Sequence, residues 1–258
     1  METINQCHLR KQIAMTGIIA LSGCLFSSLV SADGGWTIGA GIMVEQSPYR
    51  DYDNIILPIP VLHYEGDRFF IKGLDLGAHL VNSKPHQLDI NLRYGSMGFD
   101  TSDTDDKALK QLDKRRNPLL AGLSYQINTG MGNIRGEIMV DISGHSKAFL
   151  GDLKYQYPIK LGRFSITPGF GAQFESKKHN DYYFGVSHTE AYRSGLSQYR
   201  AGSGVSPYLS LSANYAFNDH WGAFLFSRYT KLSNAVKDSP MTDRSATFSV
   251  GAGLLYKF

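Results

Sequence analysis

Between Asn133 and Ile142 the chain alternates: Ile134, Gly136, Ile138, Val140 and Ile142 share one phase, while Arg135, Glu137, Met139 and Asp141 share the other. A period of two belongs to a strand with one greasy face. The same period returns at 36–46, 55–65, 69–81, 87–99, 118–128, 132–142, 147–157, 163–175, 205–217, 220–232 and 244–258. These runs reach the roughly 9–11 residues that a tilted strand needs to cross a bilayer, whereas soluble strands average about five or six. The polar phase carries both signs of charge at mid-strand, in Asp75, Asp89, Arg93, Arg135, Glu137, Asp141, Asp152, Lys154 and Arg228. A sandwich would place these in bulk water and a barrel would place them in its lumen. Aromatics near the strand ends (Trp36, Tyr64, Tyr94, Tyr157, Phe217, Trp221, Tyr229, Tyr256) suit a membrane boundary on both sides. The pattern predicts an all-β, closed up-and-down, antiparallel transmembrane β-barrel.

The N-terminus says where such a barrel would go. Arg10 and Lys11 precede a largely apolar run from Ile13 to Val30, and Val30-Ser31-Ala32 supplies small residues for cleavage. Residues 1–32 read as a signal peptide, cut between Ala32 and Asp33, and residues 33–258 as the barrel. Leu21-Ser22-Gly23-Cys24 offers a second reading, a lipoprotein-type site acylated at Cys24, although Leu25 to Val30 stays mostly apolar where such precursors turn polar. Cys7 and Cys24 both fall in the leader, so the mature chain has no disulfide and no thiolate metal site. Loss of Arg10, Lys11 and Glu2 leaves 24 basic and 22 acidic residues, a balance that gives no nucleic-acid signal. After Ala32 no apolar run approaches the ~20 residues of a membrane helix. With the leader, this points to the outer membrane of a Gram-negative cell and its lipid.

Eleven strands are plain, and a bacterial single-chain barrel with both ends in the periplasm needs an even number. Twelve is the expectation, with the aromatic stretch Tyr182–Ser187 as the extra strand; ten is the alternative. Connections at 65–68, 129–132, 143–146 and 218–220 are tight, and those at 99–117, 187–204 and 233–243 are long. Counted this way, strand parity puts 99–117 on the periplasmic side. Its aspartates Asp100, Asp103, Asp105 and Asp106 precede Lys107 to Arg116, which suits a short helical turn with an acidic start.

Chemistry is sparse. His63, His79, His86, His145, His179, His188 and His220 show no metal-ligand spacing. Ser143-Gly144-His145-Ser146 reads as a solvated turn. Ser187-His188-Thr189-Glu190 holds general-base residue types, but on an extended segment neighbours point to opposite faces. Gly39-Ala40-Gly41 and Gly251-Ala252-Gly253 precede no helix and so do not cradle phosphate; they let strands bend and side chains pass. No enzyme, catalytic residue, metal or cofactor is expected. A mixed-sign lumen of this width closes on itself through ion pairs more readily than it stays open. The chain ends on Val250, Ala252, Leu254, Tyr256 and Phe258 at alternate positions, the pattern of a terminal signal read by the barrel-assembly machinery.

Several stretches resemble the MipA/OmpV family of outer-membrane proteins. They are Pro48-Tyr49-Arg50-Asp51-Tyr52-Asp53, Leu57-Pro58-Ile59-Pro60, Tyr64–Phe70, Tyr183-Phe184-Gly185-Val186-Ser187, Glu190-Ala191, Arg193-Ser194-Gly195-Leu196, Gly204–Tyr208 and Tyr256-Lys257-Phe258. The resemblance implies an outer-membrane barrel and a scaffolding role, in which a lytic transglycosylase, a peptidoglycan hydrolase, meets a bifunctional peptidoglycan synthase. Porin-like channels and adhesin-like receptors among similar proteins keep those alternatives open.

Overall fold

The structure is a computed structural model and describes residues 35–258. Both expected cleavage residues, Ala32 and Asp33, and Cys24 lie outside the described residues. The first five strands are β1 (Trp36–Glu45), β2 (Ile55–Glu65), β3 (Phe69–Lys72), β4 (Asp75–Asn82) and β5 (His86–Tyr94). After a long loop come β6 (Leu119–Thr129), β7 (Gly132–Asp141), β8 (Phe149–Gln156), β9 (Ile159–Leu161) and β10 (Phe164–Glu175). Two helices, α1 (Lys177–Phe184) and α2 (His188–Ser194), lead to β11 (Gly204–Ala216) and β12 (Trp221–Lys231). The short helix α3 (Asn234–Lys237) precedes β13 (Ala246–Lys257).

Each strand pairs antiparallel with its neighbours, and β13 closes on β1 with Ile38 opposite Tyr256 and Val44 opposite Val250. β8 and β9 both pair with β10 in one continuous register, Gln156 opposite Gly169 and Ile159 opposite Ile166. They form one stave, broken where Pro158 lacks an N–H to give. The barrel therefore has twelve staves.

The twelfth stave is not where the aromatic stretch suggested. The run 69–81 folds back on itself at Gly73, whose φ of +64° suits a residue without Cβ, and yields both β3 and β4. Tyr182–Ser187 is no strand; it ends α1 and begins the approach to α2. Moving the extra strand upstream reverses the parity of everything between. The loop 95–118 lies at the end opposite the termini, beside 46–54, 176–203 and 232–245, as the bridges Tyr52–Thr104 and Tyr49–Thr242 require. The other short turns and both termini gather at the opposite end, which in outer-membrane barrels faces the periplasm, while the tight connection 143–146 sits among the long loops. The expected helical turn in the long loop is a 3-10 turn at Leu109–Gln111, where the Asp106 carboxylate accepts from the N–H groups of Ala108 and Leu109.

The outer face follows the greasy phase. Ile42, Ile56, Ile90, Ile138, Leu153, Phe170, Leu209 and Leu254 are exposed on it, while Glu137 and Arg93 turn inward. A ring of aromatics marks the terminal end: Trp36 packs on Tyr64 at 4.8 Å between centroids, and Trp221 and Phe258 each pack on Tyr256 at 5.1 Å. Such girdles sit at the membrane boundary.

One part of the wall is incomplete. The β3–β4 hairpin is short: β2 meets it only at His63–Glu65, and the last link upward is Gly73 N–H to the Leu62 carbonyl. In a strand the in-plane hydrogen-bonding direction alternates, so Ile56, Pro58 and Pro60 turn toward the same side as Leu62. Among the described residues no strand pairs with them there. Two of those three positions are prolines, the residue that edge strands tolerate.

Candidate functional site

Two sets of inward residues fill the barrel, and a roof of loops closes its outer end. On the β3–β7 side the centre is Arg93. Its Nε and Nη2 donate to the two oxygens of Asp75 at 2.6 and 2.8 Å, and its Nη1 and Nη2 reach Glu137 at 2.6 and 3.1 Å. Arg135 joins Glu137 at 3.3 Å and lies 3.8 Å from Asp89, which His79 contacts at 2.7 Å. Lys72 pairs with Glu65 at 2.9 Å. A bidentate guanidinium between two carboxylates is the strong form of such pairing, and its charges are spent on one another. Across the barrel, Arg228 lies 3.6 Å over the Tyr208 ring, and Tyr208 donates to Asp152 at 3.0 Å.

On the β12–β13–β1–β2 side the interior is apolar. Met43, Leu57, Val61, Phe224, Phe226 and Leu255 form one buried cluster. The glycines of β1 and β13 make the room: a Cβ at Gly251 would run into the Phe226 ring, and one at Gly253 into the Ala40 carbonyl. This is the side-chain passage expected of the two glycine-rich pieces. Burial is deep even for polar inward residues, with Asp89 at 1% and Asn91 at 2% exposure. A wide aqueous bore would leave such groups wet, so the interior is packed.

The roof has its own core of Tyr49, Tyr52, Phe99, Leu109, Leu112, Val186 and Met241. The Tyr49 hydroxyl donates to the Tyr183 carbonyl and the Tyr183 hydroxyl to the Arg116 carbonyl, tying three loops together. Glu190 is the main ionic tie. It accepts from Arg115 at 2.7 Å and from the Asp113 N–H at 3.0 Å, and Arg193 pairs with Asp113 at 2.5 Å. Burial pushes the Glu190 carboxyl up, but the Ser187 and Asp113 N–H groups and Arg115 outweigh it and hold it at about 2. Burial carries His179 down to about 4 against the opposing pull of the Asp141 charge, so its imidazole is neutral at pH 7.

The stretch 187–190 is not extended. Ser187 caps α2 by accepting from the Glu190 N–H while the Glu190 carboxylate accepts from the Ser187 N–H, a reciprocal capping box. The spacing Ser-x-x-Glu already carried that signal. At the 143–146 turn, Asp141 accepts from the Ser143 hydroxyl at 2.5 Å and from the N–H groups of Ser146 and Lys147. A nucleophile triad needs its carboxylate behind the imidazole; here the carboxylate organises a turn. Among the described residues no group of three or more His, Cys, Asp or Glu could hold a metal. The terminal residues Val250, Ala252, Leu254, Tyr256 and Phe258 fall on the outward phase of β13, and the Phe258 N–H donates to the Trp36 carbonyl at the seam. Beneath the roof lies a cavity of about 110 Å³, bounded by Glu45, Glu175 and Arg228 from the barrel and by Tyr49, Asn180 and Tyr183 from the loops. The contribution of α1 to its walls is not legible in the sequence, because the aromatics of Tyr182–Ser187 suit a strand as well as a helix end.

A closed antiparallel barrel with an apolar outer band, an aromatic girdle and a charged, packed interior defines an outer-membrane β-barrel protein. The chain belongs to the family described as MltA-interacting protein MipA, whose profile matches residues 38–258. It is 38% identical over 248 residues to the MltA-interacting protein of Escherichia coli K12, covering 96% of this chain and 98% of that one. It is 33% identical over 241 residues to the putative outer membrane protein YiaT of the same organism, covering 93% and 98%. With outer membrane protein OmpV of Vibrio cholerae it shares 25% over 231 residues, 90% of each chain. Among solved structures it is similar to an outer-membrane channel from Pseudomonas putida F1, with TM-score 0.47, 9% identity and coverage of 89% and 97%. Four of the stretches that carried the family resemblance, 48–53, 183–187, 190–191 and 193–196, converge in the roof.

Proposed function

We propose that this protein is a membrane-anchored docking protein for peptidoglycan enzymes, a hydrolase and a synthase, with the barrel as anchor and the short turns at the terminal end as the partner-facing surface. The observation that carries this reading is the packed and roofed interior: without an open passage, a barrel acts through its surfaces. The near full-length relationship to a protein named MltA-interacting protein supports it. The turn residue Met131 stands 77% exposed at the terminal end, an apolar side chain available to a partner. The test joins two measurements on the full chain. Affinity extraction in mild detergent is expected to retain a peptidoglycan hydrolase or synthase, and planar bilayers are expected to show no steady conductance. Steady conductance with no enzyme retained would replace docking with a channel.

We also propose that Phe258, with Tyr256, Leu254, Ala252 and Val250, is read by the barrel-assembly machinery. The last strand must close against β1, and its free edge is what an assembly factor could template. Deleting Phe258 is expected to lower outer-membrane levels and leave unfolded protein in the periplasm, with Lys257→Ala neutral. Normal amounts of heat-modifiable barrel from the deletion would end this reading.

A further inference from the structure

The cavity under the roof contains more carboxylate than its neighbours compensate. Glu45 and Glu175 both line it, and the single cationic wall residue, Arg228, attracts both of them from beyond ion-pair distance while it is engaged with the Tyr208 ring, the Gln173 carbonyl at 3.3 Å and the Thr230 hydroxyl at 3.3 Å. Among the described residues no cation lies within ion-pair distance of Glu45 or Glu175, although each is only 8% exposed. Glu175 takes a hydrogen bond from Ser206, and Glu45 takes none among the described residues. Burying a carboxylate without a close partner is expensive, and the cost is met either by a retained proton or by a donor-rich partner that completes the wall.

A second observation points the same way. Asn180 is fully buried and faces this cavity; its amide N–H donates to the Gly202 carbonyl, while its Oδ1 has no partner among the described residues. The unmet groups are therefore acceptors. The imidazole of His179, neutral at pH 7, adds no positive charge. The apolar part of the wall is aromatic, with Tyr49, Tyr183 and Phe184 among its members, and ring faces attract ammonium groups. A donor-rich cation with a small apolar body satisfies all three features, whereas an anion or a plain hydrocarbon satisfies at most one. The cavity also borders the incomplete wall: Ile55 at the top of β2 and Ser96–Gly98 beyond β5 both contribute to it.

We propose that this cavity is a binding site for a small primary amine with an apolar or aromatic body, with Glu45 as its counter-ion and the Asn180 Oδ1 as an acceptor. The site is independent of the docking reading, since it lies at the opposite end of the barrel from the short turns. Benzylamine is the probe, titrated into the full-length barrel in a maltoside detergent, with benzyl alcohol and benzoate as neutral and anionic counterparts. Benzylamine is expected to bind saturably and to raise the unfolding temperature, with both counterparts weaker by roughly tenfold or more. Glu45→Gln is expected to lose roughly tenfold in benzylamine affinity while keeping the heat-modifiable folded band. Equal binding of benzoate and benzylamine to the unaltered protein, or no binding of benzylamine, would overturn the site without reliance on any variant. Unchanged affinity in a folded Glu45→Gln barrel would overturn it as well.

Discussion

The two halves of the barrel interior solve one problem with opposite chemistry. Every inward position on a membrane barrel must be filled or hydrated. The β3–β7 half fills its space with charge, linking Arg93 to Asp75 and Glu137 across strands 18 and 44 residues apart in sequence. The β12–β2 half fills its space with Phe224, Phe226 and Met43 in the room left by the inward glycines of β1 and β13. The first half depends on partners and the second on volume. A substitution should therefore fail in different ways on the two sides.

The largest effect is expected from Arg93→Ala, which leaves two buried carboxylates facing each other. Removing one partner of a buried ionic cluster costs about 3–5 kcal/mol, readable in denaturant unfolding of the detergent-solubilised barrel. In a background already carrying Glu137→Gln the same change should cost measurably less, because the two residues share one network. Additive losses would mean that the charges act singly and would break the contrast. A smaller effect is expected on the apolar side. Gly251→Ala should cost about 1–3 kcal/mol by overpacking against Phe226, and Phe226→Leu should recover part of it. If the double variant were worse than the sum of the two, volume would not be what governs that half.

The smallest effect is in the roof over both halves. Glu190 has its carboxyl lowered from the ordinary 4.5 to about 2, so its stabilisation is complete above pH 4.5 and is lost as pH falls toward 2. His179 is lowered from 6.5 to about 4, so the folded roof also loses stability as pH falls from 6.5 to 4. Both act in the same direction. Hydrogen exchange at 177–194 should quicken on acidification while the strands stay protected. Glu190→Gln should flatten the part of that response below pH 4.5; exchange with no pH dependence beyond its intrinsic chemistry would remove the roof from the titration.

Much of this molecule is legible from residue order alone, and the gaps have physical causes. Alternation reveals staves because the lipid face tolerates no polar side chain, so Ile138 beside Glu137 fixes phase without any neighbour. The hairpin at Gly73 was hidden because β3 and β4 each continue the same greasy texture, and the two-residue turn Gly73-Leu74 is flanked by Lys72 and Asp75, which read as two more inward charges of one strand. Tyr182–Ser187 misled for the opposite reason: its aromatics pack into a roof core, and aromatic content marks burial as readily as it marks a strand. The Arg93 network was invisible beyond its charges, since strand register rather than sequence distance decides who meets whom. The cavity walls come from strands and loops far apart in the chain, and no local pattern joins Glu45 to Asn180.

Pro58 and Pro60 have a further bearing on life in a crowded membrane. The free edge of β2 offers carbonyls at Ile56, Pro58 and Pro60 but an N–H only at Ile56, so an incoming strand would find two of its own acceptors unanswered. Sheets fuse when edges are reciprocal, each giving and taking in turn. Past Ile56 this edge can only take, and neighbouring barrels pressed against it find at most one reciprocal rung, too little of a ladder through which to merge.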